Sequence, residues 1–231
     1  EQGAAVDAQD EDEETPLHLA AQKGHEAVCR ILVAQDADVH AQDNYQKTPL
    51  HMAIFNDHEV VCRILVAQGA DVHAQDRFQR TPLHRAAVDG RIEVCRFLLD
   101  QGANIEARDL DNHTVLECAI ESYEEETCQF LIDQGALVNT CNDLGNTPLH
   151  FCYTYGYGDT LGAYLISKGA DPTIRNHSGN VCHDGLGGSS RGEPGRESPG
   201  LRRAFQAPPL ELPPRPSTEG PWTSPPWSDC R

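Results

Sequence analysis

Apolar residues in this chain recur in pairs of short helical stretches, each pair closed by a polar turn. In "TPLHLAAQKGHEAVCRILVAQDADVHAQD" (15–43), Leu17, Ala20 and Ala21 stand at i, i+3 and i+4, the spacing of one helix face. Thr15 is placed as an N-cap, with Pro16 at the first helical position, where its missing N–H costs nothing. Gly24 breaks this helix, and a second follows with Val28, Ile31 and Leu32 on one face. The small alanines let a neighbouring helix approach closely. In the later units "QGAD" or a variant ends the second helix, and Gly69, Gly102, Gly135 and Gly169 suit a left-handed cap. The first unit has Asp36 there, which tolerates that conformation less well.

The pattern has a strict period. "TPLH" stands at 15–18, 48–51, 81–84 and 147–150, and "TVLE" at 114–117, so each opening threonine follows the last by 33 residues. These residues resemble the ankyrin-repeat family over about residues 1–184: an Asp-opened finger, a helix starting TPLHxAA, a Gly-His turn and a second helix before GADVN. The resemblance implies an all-α solenoid of stacked helix-turn-helix units with β-turn fingers. The repeats are expected at 10–42, 43–75, 76–108, 109–141 and 142–175, with a partial sixth at 176–184. "EQGAAVDAQD" is similar to the close of a repeat, because Gly3 lies 33 residues before Asp36. Residues 1–9 are thus expected to be the stump of a preceding repeat in a longer array, which would leave the first complete repeat with an uncapped apolar face.

Two departures stand out. Gly169 sits one place later than the period requires, which predicts an inserted residue in "TYGYGD" (154–159), at the turn between the helices. The fourth repeat lacks both Pro and His in "TVLE" and has Tyr123 where others have Gly24 and Gly90, so it is expected to be irregular and weak.

Composition changes the picture at one end. Ten of the 15 prolines fall in 185–231, in strings such as "APPLELPPRP". This Pro/Gly-rich segment is expected to be a disordered tail, and its one PxxP spacing (Pro213–Pro216) lacks the basic neighbour that SH3-type grooves favour. Charge is equally uneven: residues 1–184 hold 12 Lys+Arg against 31 Asp+Glu. Such a body repels a phosphate backbone, so nucleic-acid binding is disfavoured. No apolar run approaches the roughly 20 residues of a membrane span. Nine cysteines without CxxC or zinc-finger spacing read as free thiols in a reducing compartment, cytoplasmic or nuclear.

Candidate chemistry is sparse. His18, His51, His84 and His150 recur in register, and by resemblance to the family they bond the neighbouring turn. Cys29, Cys62, Cys95 and Cys128 also recur every 33 residues and read as small hydrophobes, with Gly162 taking that position in the fifth repeat. The nearest mixed ligand cluster, Cys141, His150 and Cys152, lacks an accompanying pair, so neither a metal nor another cofactor is expected. There is no GxSxG elbow, no HExxH and no phosphate-cradling loop, so no enzyme is predicted.

What remains is surface. The finger tips vary from repeat to repeat, and varying positions of a solenoid are those open to recognition. The first finger is acidic (Glu11, Asp12, Glu13, Glu14), whereas the second and third carry Tyr45, Lys47, Arg77, Phe78 and Arg80. Tyr45 and Phe78 are equivalent positions whose rings should lie side by side, with Arg85 and Leu110 extending the patch. These residues are the expected site for a protein partner offering an acidic, partly apolar segment to a monomeric module. Two further readings stay open: a regulatory segment of a larger enzyme or channel, and a metal-binding protein built on the Cys/His content.

Overall fold

The computed structural model describes residues 5–184. Within them, pairs of helices follow one another: α1 (Pro16–Gln22) and α2 (Glu26–Ala34), α3 (Pro49–Phe55) and α4 (Glu59–Ala67), α5 (Pro82–Val88) and α6 (Ile92–Asp100), α7 (Val115–Glu121) and α8 (Glu125–Asp133). The last pair is α9 (Pro148–Thr154) and a π-turn (Gly158–Gly162) running into α10 (Ala163–Ser167). The first helices stack on one another in chain order, α1 on α3, α3 on α5, α5 on α7 and α7 on α9. No strand forms among the described residues; the fingers hold only isolated bridges, Arg108–Thr114 and Arg175–Val181. No helix there is long and apolar enough to cross a membrane. The expected tail, 185–231, lies outside the described residues.

Each first helix starts from the same local chemistry. The Thr48 N–H donates to His51 Nδ1 (3.2 Å), and the Thr48 hydroxyl lies 2.9 Å from the same nitrogen. Because Nδ1 accepts, the ring proton sits on Nε2, which donates to the Arg80 carbonyl of the next finger (3.4 Å). His18 and His150 do the same toward Lys47 O (3.0 Å) and Asn180 O (3.1 Å). One neutral imidazole thus caps its own helix and fastens the next repeat. His84 keeps the cap, but its Nε2 is buried without a hydrogen bond.

The core is a column of equivalent residues. Leu17, Leu50, Leu83, Leu116 and Leu149 are all essentially inaccessible, at 0–1%. Each such burial stabilises by about 2 kcal/mol before chain entropy is counted. Cys29, Cys62, Cys95 and Cys128 fill a parallel column on the second helices as free, fully buried thiols. Burial pushes Cys62 and Cys95 up to about 12, so they are inert apolar fillers. In the first pair, by contrast, Leu19, Val28 and Ile31 are 41%, 44% and 57% exposed.

The inserted residue is taken up from the end of the expected stretch onward, past the turn itself. Gly24, Asp57, Gly90, Tyr123 and Gly156 all have positive φ at 33-residue intervals, so the interhelix turn of the fifth pair keeps register. The extra residue is taken up just after it, where Gly162 N–H bonds to Tyr157 O, one residue longer than the Cys128 N–H to Glu124 O bond of α8. Leu161 and Gly162 are both buried there, Gly162 against Leu149 and Cys152 of α9. The fourth pair is also more regular than "TVLE" suggests. Glu117 replaces the histidine in the capping box, accepting from Thr114 N–H (2.8 Å), and α7 and α8 have their neighbours' lengths. The departures appear as a tyrosine held at φ +68° and a buried carboxyl pushed up to about 7 by desolvation.

Candidate functional site

The fingers owe their shape to their opening aspartates. Asp43 Oδ1 accepts from Tyr45 N–H and Lys47 N–H (both 2.8 Å), and Asp76 Oδ1 accepts from Phe78 N–H (2.8 Å) and Arg80 N–H (3.0 Å). In these turns Asn44, Gln46, Arg77, Phe78 and Gln79 are exposed, while Tyr45, Lys47 and Arg80 are half-buried. Adjacent fingers are then tied by main-chain bonds, Arg77 N–H to Tyr45 O (3.0 Å) and Leu110 N–H to Phe78 O (2.9 Å).

This tie decides how the predicted residues meet. The Arg77 guanidinium lies over the Tyr45 ring at 4.2 Å and over the Phe78 ring at 4.6 Å. The two rings expected side by side are therefore joined through a cation. Arg80 covers Phe78 at 4.6 Å while pairing with Asp76 (3.1 Å), and Lys47 stands 5.5 Å from the Tyr45 centroid. Arg85 lies on α5, over Phe55 at 4.1 Å and paired with Asp89 (2.7 Å). Phe55 is a residue that sequence reading missed, although its column, seven residues after the opening threonine, could have been compared across repeats. Lys47, His51, Phe55, Asp76, Arg80 and Arg85 enclose a recess of about 20 Å³, room for one water-sized group. Leu110, on the next finger, is 57% exposed.

One repeat further along, the inner face changes character. Asp109, His113 and Cys118 bring a carboxylate oxygen, a ring nitrogen and a sulfur within 4.8 Å of one another. Glu121 adjoins them, pushed up to about 8 by burial and then by the Asp109 charge. This is a different set from the Cys141, His150 and Cys152 group that spacing suggests. His150 uses both ring nitrogens in the cap and in the bond to Asn180, and Cys141 is exposed.

Comparison with known proteins bears on the repeats directly. A family model of ankyrin repeats in three copies matches residues 2–76 and 106–176, and the single ankyrin-repeat model matches 78–110. Among solved structures, the crystal structure of the ankyrin repeat domain of Bcl-3, a unique member of the IkappaB protein family, is similar at 29% identity and a TM-score of 0.73. The match covers 78% of this chain and 81% of that one. Curated protein sequences return no match.

Proposed function

Because this chain belongs to the ankyrin-repeat family, we propose that it is a scaffold or adaptor that holds an acidic, partly apolar protein segment across its second and third fingers. Ankyrin repeats are modules of protein–protein interaction. The observation that carries the finer reading is Arg77, whose guanidinium rests against Tyr45 and Phe78 and makes no ion pair or side-chain hydrogen bond among the described residues. A stacked guanidinium keeps its N–H edge for bidentate contact with a carboxylate, and the flanking rings offer rigid apolar area. Aromatic and arginine side chains of this kind are the usual anchors of an interface. Stacked repeats hold these groups in place beforehand, so little ordering entropy is lost on binding. Free thiols throughout the described residues support a reducing, intracellular setting.

The test is affinity for a partner captured with the full chain and then identified. Tyr45→Ala/Phe78→Ala should weaken binding by about 30-fold or more, as expected for two anchors worth about 1 kcal/mol each. Neutralising Glu11, Asp12, Glu13 and Glu14 should leave it nearly unchanged. Unaltered affinity of the double variant, or an equal loss from the acidic finger, would overturn the assignment.

A further inference from the structure

The inner face of each repeat is built from four equivalent positions: the finger Asp, the residue before the helix-opening Thr, and the residues four and seven beyond that Thr. The second repeat has Asp43, Lys47, Met52 and Phe55 there, and the third has Asp76, Arg80, Arg85 and Val88. In the fourth they are Asp109, His113, Cys118 and Glu121. These three repeats share the aspartate because it shapes the finger. The other three positions change together, and each changes to a side chain that ligates metals.

Asp109, His113 and Cys118 place ligand atoms within 4.8 Å of one another, and Glu121 stands beside His113. Cys118 Sγ lies 3.7 Å from Asp109 Oδ2, and His113 Nδ1 lies 3.8 Å from Glu121 Oε2. Glu121 Oε1 is buried without a partner. A tetrahedral zinc shell, with bonds of about 2.0–2.3 Å, separates its ligand atoms by roughly 3.3–3.7 Å, so Asp109, His113 and Cys118 need only small shifts to close on an ion, and Glu121 must swing in past His113 to complete the shell. Their supports are rigid. Asp109 Oδ1 is engaged by the Asp111 and His113 N–H groups, which leaves Oδ2 for a ligand, and Cys118 and Glu121 share a face of α7 at i and i+3.

We propose that Asp109, His113, Cys118 and Glu121 form a binding site for a borderline-soft divalent cation of the Zn²⁺ or Co²⁺ type. The thiol and imidazole select against Ca²⁺ and Mg²⁺. Ligation releases the Cys118 thiol proton and the Glu121 carboxyl proton to solvent and requires His113 Nδ1 to give up its own. The ring proton then resides on Nε2, which in the metal-free chain accepts from Asn142 Nδ2 (3.1 Å). Asn142 Oδ1 is held by the Leu144 and Asn146 N–H groups (both 3.0 Å), so its amide must turn over when metal binds. An aspartate at 142 would remove that conflict, because it shapes a finger as Asp43 and Asp76 do and offers Nε2–H a carboxylate.

The experiment is a Co²⁺ titration of the full chain, read by the thiolate-to-cobalt charge-transfer band. One equivalent should produce the band, and Zn²⁺ should abolish it. Cys118→Ser should remove it, Cys141→Ser should not, and Glu121→Gln should weaken binding while far-UV circular dichroism stays unchanged. Asn142→Asp should tighten binding by about 10-fold or more. Absence of the band, its survival in Cys118→Ser, or no gain in Asn142→Asp would overturn the site; if Cys118→Ser does not fold, the Glu121→Gln and Asn142→Asp affinities decide.

Discussion

His51 links the helix cap to the stability of the stack, and acid should expose that link. Its ring is almost wholly buried, with Nδ1 accepting from Thr48 N–H and Nε2 donating to Arg80 O. A second ring proton would face the Thr48 N–H donor, so the folded state admits only the neutral form. Burial accordingly lowers its pKa to about 4, from 6.5 in an exposed chain. Between those values the unfolded chain binds the extra proton and the folded chain does not. Stability from this group is therefore complete above pH 6.5, falls as pH drops through the window, and is gone below about 4. The total loss is about 3 kcal/mol, of which about 2 kcal/mol has occurred by pH 5. Urea unfolding followed by far-UV circular dichroism at a series of pH values measures it. His51→Gln retains a side chain able to cap but cannot titrate, so it should flatten the slope by about one proton across that window. If the variant and the parent chain lose stability in parallel between pH 6.5 and 4, the role assigned to His51 is wrong.

Other consequences are more local. Asp36 is held at φ +62° on an exposed turn where equivalent repeats have glycine, so Asp36→Gly should raise the urea midpoint by an amount equal to about 0.5–1 kcal/mol. Gly24→Ala should do the reverse, because its φ is +68° and an added Cβ would meet the His58 ring at 2.5 Å; a loss of about 1–3 kcal/mol is expected in the same assay. Thiol titration of the folded chain should modify Cys141 at once among the described cysteines, whereas Cys29, Cys62, Cys95 and Cys128 should react only as fast as the chain unfolds. Removing the cation from between the rings by Arg77→Ala should weaken partner binding with little change in the unfolding midpoint, since the side chain is exposed at the finger tip.

The repeat itself was legible because its signals are local. A Thr-Pro pair starts a helix, a residue at positive φ ends it, and a 33-residue period needs only counting. The exchange of Gly for Asp36 and of His for Glu117 could be read the same way, although the backbone absorbed the second without losing its cap. The finger patch was half legible. Sequence placed Tyr45, Arg77 and Phe78 at neighbouring tips, but which side chain lies between the rings depends on the bond from Arg77 N–H to Tyr45 O. The Asp109, His113, Cys118 and Glu121 group was missed because its members straddle a finger and a helix at spacings no motif describes.

By itself, then, the amino-acid order determined the helices, their caps and the stacking columns, since each follows from conformational preference and periodicity along the chain. Packing between repeats decided the rest. It took up the extra residue in a π-turn that buries Leu161 and Gly162, just past the Gly156 turn that keeps register. It brought the ring N–H of His18, His51 and His150 onto a carbonyl about 30 residues away. It also gathered four ligand-type side chains on one inner face. These outcomes depend on atoms brought together from distant parts of the chain, and only the stacked structure fixes their distances.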